Sequence, residues 1–400
     1  MLRHIPPTSP THSIFRVCHH LHEINKKAYD PEILAIGPYL HGNDKLKYME
    51  EQKLQYLRGL CERKNEESID MAKKLEQQVE LEQQARDCYA ETIDPPSKNF
   101  LTMMLIDGCF IVEDENDPIM HGCGIRTSIR RDLLLLENQL PLFILSTLYD
   151  LTKGPNENQE FSDVATEYFN IELGDPSRNR TIDKRQGEHL PHVYHMWRTS
   201  GLPKTPSATE LDCIPELDCI PELGCIPTMS SACRAIAQES GVSFRAAQGS
   251  GLKDIKFANG TLEIPALRVE DDTESQFRNL IAYEQHRQIR DINYFTDYTA
   301  FMDYLLNSSE DVKVLRRARI IKNYLGDDEV VAQMFNKISD HIFKNVNAYC
   351  DKSWNIWMAK LKREYFSSPW AFLSVLAAIV LLLLTIAQTV FSILSYTKQS

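Results

Sequence analysis

The sequence predicts a mainly α-helical soluble domain with one small β-hairpin, followed by a single C-terminal transmembrane helix. Three observations predict it. Apolar residues recur at helical spacing through most of the chain after Ile14. Asn259-Gly260 sits between two short alternating runs in IKFANGTLEI, a pattern suited to a type I′ turn. The run Trp370–Tyr396 contains no charged residue, and fifteen of the twenty-four positions from Ala371 to Leu394 are Leu, Ile, Val or Phe. A helix of that length spans roughly 36 Å, enough to cross a hydrocarbon core of about 30 Å with some tilt.

The elements follow in order. Residues 1–13 read as a disordered N-terminus, and the helical domain runs from 14 to 365. Asp30-Pro31 and Gly37-Pro38 bound an irregular, extended stretch. A long helix begins near Leu46, with Leu54, Leu57 and Leu60 on one face, and continues through Ala72, Leu75, Val79, Ala85 and Cys88. Asp94-Pro95-Pro96-Ser97 ends it, and the apolar stretch Asn99–Glu113 follows. Ile129–Leu151 reads as a core helix in which Pro141 makes a kink or break. In the hairpin, a two-residue loop sets Phe257 opposite Leu262 and Ile255 opposite Ile264. All four then share one apolar face that should lie flat on the helical core. Thr273–Tyr283, Asp297–Leu306 and Asp328–Cys350 again read as helices, with Gly326 as a C-cap ahead of the last.

One stretch departs from this pattern. Residues 210–227 are three copies of a six-residue unit, ELDCIP, ELDCIP and ELGCIP, within a segment from about 205 to 251 that reads as a flexible insertion. Proline at every sixth position forbids a continuous helix. Cys213, Cys219 and Cys225 recur at a spacing that is not a zinc pattern, and duplication in a tolerant loop accounts for them.

Charge and composition bound the function. A formal charge of −12 with no clustered basic face speaks against nucleic acid. Lys352, Lys360, Lys362 and Arg363 precede the apolar run and Lys398 alone follows it. The positive-inside rule therefore leaves the bulk in the cytosol, the layout of a tail-anchored protein. The sequons at Asn179, Asn259 and Asn307 point the other way but are matched by chance at this asparagine content. Within the span, Gln388 and the Ser374/Ala378 small-residue pair are where a homodimer through the helix would form.

The chain lacks a phosphate loop, a dinucleotide-binding glycine motif, a nucleophile elbow and a His-Glu-x-x-His motif. His189, His192 and His195 form an i, i+3, i+6 row whose outer members point about 120° apart on a regular helix, and Pro191 disturbs that helix. A surface or half-buried row is expected, not a metal site. Cys18, His19, His20 and His22 are crowded but face different ways. Asp107, Glu113, Asp132 and Glu137 lie in apolar runs, where a raised pKa could make a carboxylate an acid or base. The structural expectation is that Arg130 and Arg131 serve as ion partners. Glu137, Asn138 and Gln139 then bond free backbone near Pro141, and Glu284 and Gln285 do the same near a helix end. No catalytic, cofactor-binding or metal residue is assigned.

Five segments carry a resemblance: IFRVCHHLHEINKKAYDPEILAIGPYLHG (14–42), MLIDGCFIVE (104–113), IRRDLLLLENQLPLFIL (129–145), LEIPALRVEDDTESQFRNLIAYEQ (262–285) and YFSSPWAFLSVLAAIVLLLLTIAQT (365–389). Together they resemble a plant family catalogued as domain of unknown function 247. The resemblance implies a single-span plant membrane protein without an established biochemical activity. Some family members look like participants in cell recognition, notably self-incompatibility in grasses. It implies no catalytic residues, and the hexapeptide copies depart from the family pattern. The expectation is a non-enzymatic interaction or recognition component with unknown protein partners. The rival is an enzyme using Asp107, Glu113, Asp132 and Glu137.

Overall fold

The computed structural model describes residues 12–64, 79–94, 96–113, 123–154, 158–171, 187–199, 241–247, 251–252, 254–287 and 293–350, together with position 388. It divides into two units, Met1–Glu210 with Met229–Ser339, and Leu211–Thr228 with Asp340–Ser400. Among the described residues the second unit contributes the helical backbone of 340–350 and the single position 388. The hexapeptide copies, Asn179 and all of the apolar run 370–396 except Gln388 lie outside the described residues. No helix among those described is long and apolar enough to cross a membrane.

The first unit is mainly helical with a few short strands, as its periodicity predicts. Two short helices, α1 (His19–Ile24) and α2 (Lys26–Tyr29), precede the extended segment 30–38. There follow α3 (Lys47–Lys64), α4 (Val79–Asp87), α5 (Ser97–Glu113), α6 (Cys123–Leu133), α7 (Leu142–Thr152), α8 (Phe161–Ile171) and α9 (Leu190–Thr199). After the small strands come α10 (Thr273–Arg287), α11 (Tyr294–Leu305), α12 (Ser309–Arg317) and α13 (Asp328–Cys350). Helix α5 packs against α3 and α7, α8 packs against α7 and α9, and α10 packs against α2 and α11. Phe100, Met104, Cys109 and Phe110 of α5 are fully buried, as are Leu145 and Leu148 of α7. Each such large side chain contributes about 1.5–3 kcal/mol relative to an exposed one, so this layer is the main source of cohesion.

Ile129–Leu151 is two helices, not one. Residues 134–141 leave the helical path, and Pro141 stands at the N-cap of α7, where its missing N–H costs nothing. The interruption is filled by side chains: the Gln139 amide donates to the carbonyls of Leu133 and Leu135, both at 2.7 Å.

The hairpin forms with the predicted turn and register. Asn259 and Gly260 have φ of 51° and 71°, and Phe257 pairs with Leu262 across β2 (Lys256–Ala258) and β3 (Thr261–Ile264). It does not lie flat on the core, however. Phe257 is 53% exposed and β2 is exposed throughout, whereas Ile264 at the end of β3 is fully buried. A further strand, β1 (Ser243–Ala246), joins β3 in parallel, giving the order β1-β3-β2 and leaving β2 as an outer edge. A second, two-stranded parallel sheet pairs β4 (Leu267–Val269) with β5 (Ile321–Asn323). This small sheet also displaces the expected cap. Gly326 follows β5 and closes no helix, whereas α12 ends at Arg317 with Ala318 as its C-cap and Arg319, whose φ is 60°, just beyond it. There the N–H of Ile320 donates to the Leu315 carbonyl and that of Arg319 to the Arg316 carbonyl, a Schellman pairing built without glycine.

Gly37 is the backbone position with least tolerance. Its φ is +71°, and a Cβ there would meet the Gln139 carbonyl oxygen at 2.4 Å. Gly37→Ala is expected to lower unfolding stability by about 2–4 kcal/mol, combining left-handed strain with displacement of residue 139. Urea unfolding followed by circular dichroism measures this; a loss below about 0.5 kcal/mol would contradict the close approach.

Candidate functional site

Two of the four carboxylates singled out in the apolar runs, Asp107 and Asp132, converge on one feature, the backbone of residues 32–37. This stretch has no strand beside it, so its polar groups need other partners if they are to be buried. Asp132 supplies three: the N–H groups of Glu32, Ile33 and Leu34 donate to its carboxylate at 2.8–3.0 Å. Asn138 accepts from the Ile36 N–H at 2.6 Å and donates to the Leu34 carbonyl at 2.9 Å. Asp107 accepts from the Gly37 N–H at 2.9 Å, and the Lys53 ammonium donates both to Asp107, at 2.7 Å, and to the Ala35 carbonyl. Lys53, at 1% exposure, is among the most buried side chains described. It carries a second acidic partner in Glu50, at 2.5 Å, so this buried charge is compensated.

Neighbouring polar groups do similar work. Glu137 accepts from the Val17 N–H at 2.8 Å and pairs with Arg16 at 3.2 Å. Asn279 of α10 accepts from the Leu136 N–H and donates to the Ala28 carbonyl, both at 2.9 Å. Arg131 pairs with Asp132 at 2.6 Å and donates to the carbonyls of Lys27 and Asp30. Arg130 was expected beside the same carboxylates. It instead pairs with Asp272 at 2.7 Å and Glu270 at 2.8 Å, because it projects from the opposite side of α6's last turn. Glu113, six residues beyond Asp107 at the end of α5, is half-buried on a different face of that helix. Burial pushes the Asp132 carboxyl above its ordinary range, against the pull of its backbone donors and Arg131. Glu137 is likewise pushed up by burial against Val17 and Arg16.

The histidine row is buried, contrary to the surface or half-buried placement expected of it. His189, His192 and His195 are 0%, 5% and 6% exposed. Pro191 falls in the first turn of α9, where proline is tolerated, so the helix is regular and turns the row inward. The three rings surround Tyr283 of α10, with centroid separations of 5.3, 5.5 and 5.6 Å. His189 Nε2 lies 3.0 Å from the Ser13 carbonyl and its Nδ1 accepts from the His192 N–H, which makes Nε2 the donor nitrogen. His195 Nε2 lies 2.8 Å from Glu284. Glu284 also accepts from the N–H groups of Phe295 and Thr296, so it caps α11 as the backbone duty expected of it requires. Gln285 is exposed. Among the described residues no group of three His, Cys, Asp or Glu side chains could hold a metal ion.

Lys53, Asn279 and Tyr283 are central to these arrays and carry no sequence signal. Lys53 lies in a charged helical run that reads as a solvated face. None of these carboxylates lines the small apolar cavity of about 30 Å³ bounded by Ile111, Leu133, Phe161, Val164, Phe169 and Leu190.

Comparison with known proteins finds a family model described as "plant protein of unknown function", matching residues 14–384. The chain is similar to the UPF0481 protein At3g47200 of Arabidopsis thaliana, at 29% identity over 96% of this chain and 86% of the relative. It is also similar to the putative UPF0481 protein At3g02645 of Arabidopsis thaliana, at 23% identity over 94% of this chain and 89% of the relative. No solved structure matches significantly.

Two predictions follow from the polar array. Lys53→Met strands the Asp107 carboxylate in the interior and is expected to cost about 3–5 kcal/mol. Adding Asp107→Asn, which keeps an acceptor for Gly37 but removes the charge, should recover part of that loss in the same urea titration. Asp132→Asn should cost about 1.5–3 kcal/mol by opposing its amide to the backbone donors. The pH dependence has a defined sign. A carboxyl whose folded-state pKa is raised contributes most below its ordinary value of 3.8 and loses that contribution as pH climbs through the folded-state value. The advantage of wild type over Asp132→Asn should therefore shrink as pH rises through this window; growth of the gap would contradict the direction.

Proposed function

The chain belongs to DUF247, a family of plant proteins of unknown function, and from that premise we propose that it is a non-catalytic protein-interaction module held at a membrane. The observation that carries this reading is the use of the carboxylates. Of the four groups that could have served as acid or base, Asp107, Glu113, Asp132 and Glu137, the first, third and fourth are each bound to backbone N–H and to a cation. Their oxygens are engaged in holding the fold together. A module of this kind acts through its surface, which carries the acidic excess of a chain with net charge −12.

The membrane part of the proposal comes from the uncharged run 370–396, at about −0.5 kcal/mol of insertion free energy for each Leu, Ile, Val or Phe. The basic residues between Lys352 and Arg363 orient the helical domain toward the cytosol.

Expression of the full chain in plant cells, followed by alkaline carbonate extraction of the membranes, tests the anchor. The wild-type chain should stay in the pellet and a variant lacking 370–396 should move to the supernatant. Protease added to sealed, cytosol-side-out vesicles should digest the helical domain. Release of the intact chain by carbonate would overturn the anchored reading, and protection of the domain would reverse its orientation.

A further inference from the structure

Four free cysteines are described: Cys61 and Cys109 are buried, Cys88 is half-buried, and Cys18 is exposed. Cys18 is the N-cap residue of α1, and its Sγ lies 3.8 Å from Nε2 of His286, within hydrogen-bond range for sulfur. The two residues are far apart in sequence and come together because α10 packs against the N-terminal helices. The imidazole is held in place. It stacks on Phe15 with ring centroids 5.1 Å apart and planes 7° from parallel, and it hydrogen-bonds the backbone of Arg16.

Burial holds the His286 pKa below the ordinary imidazole range, against the upward pull of the Arg16 backbone. The ring stands in the last turn of α10, where the helix dipole favours a cation and so opposes the cost of burial. An exposed thiol hydrogen-bonded to an oriented imidazole is the arrangement that activates a cysteine nucleophile. Burial pushes the Cys109 thiol up to about 12 and that of Cys88 upward as well.

We propose that Cys18 and His286 form a reactive thiol site that takes hydroperoxides, with Cys18 as the oxidised atom and His286 as its base. His286 Nε2 accepts the thiol proton. The sulfur then attacks the terminal oxygen of ROOH, an S–O bond forms, and the O–O bond breaks. The alkoxide leaving group takes the proton back from His286. Cysteine thiol and ROOH thus become sulfenic acid and ROH, the sulfur losing two electrons and the peroxide gaining them. Cys18 adjoins Val17, whose side chain lies in a buried cluster with Ala28, Tyr29, Leu136 and Tyr283 and whose N–H is held by Glu137. The modification therefore occurs one residue from the core. This inference stands apart from the membrane-module reading, since neither requires the other.

The test treats the purified full chain in detergent with hydrogen peroxide, traps sulfenic acid with dimedone, and measures occupancy by mass spectrometry of the peptides bearing Cys18 and Cys88. Cys18 is expected to be labelled about tenfold faster than Cys88. His286→Gln should slow Cys18 about tenfold and leave Cys88 unchanged. A merely structural role for His286 would move the thermal midpoint and the Cys88 rate without changing the Cys18 to Cys88 ratio. Equal rates at the two cysteines in the wild type overturn the proposal, as does an unchanged Cys18 rate in folded His286→Gln. Should that variant fail to fold, the wild-type ratio decides by itself.

Discussion

A stretch of backbone, residues 32–37, enters the interior at Leu34 with no strand to pair with, and the surrounding side chains are arranged to satisfy it. Unpaired buried N–H and C=O groups would each cost about 1–3 kcal/mol, enough in sum to exceed the net stability of a domain. Asp107, Asp132, Asn138 and Lys53 meet that demand from α3, α5, the last turn of α6 and the break after it. Each of those side chains is polar or charged and buried, and is tolerable only because the segment is there. The dependence is mutual, so the segment and its binding groups form a single unit that either assembles whole or leaves several orphans.

The segments that carry the family resemblance acquire a physical meaning from this array. Glu32–Gly37 lie in the first, Asp107 in the second, Asp132 and Asn138 in the third, and Asn279 and Glu284 in the fourth. The structure joins these four stretches through hydrogen bonds that span up to 251 positions of sequence. A chemist scanning the same residues for catalysis sees acids in apolar surroundings. The geometry shows anchors for a backbone that has no ladder.

Much of the fold was legible because its signals are local. Helical spacing located most of the helices, Asn259-Gly260 specified a turn, and Pro141 marked an interruption. Other features were illegible because they depend on distant partners. The parallel strand β1 pairs with β3 across a gap with no periodic trace, and Phe257, on the presumed core face of the hairpin, is exposed on the outer strand β2. The histidine row was misplaced because Pro191 reads as a helix breaker, while in the first turn it is harmless. Lys53 is the sharpest case. Its neighbours Glu50, Glu51 and Gln52 suggest solvent, whereas the Asp107 carboxylate, 54 positions away, and the Ala35 carbonyl hold it inside.

The long reach of these bonds has a bearing on synthesis. Residues 32–34 wait for Asp132, about 100 positions further along the chain. At typical elongation rates of about 5–20 residues per second, they leave the ribosome roughly 5–20 seconds before their acceptor does. Throughout that interval the nascent N-terminal part holds bare amides and apolar side chains with nothing to receive them. It is in this window that a chaperone would find its natural binding stretch.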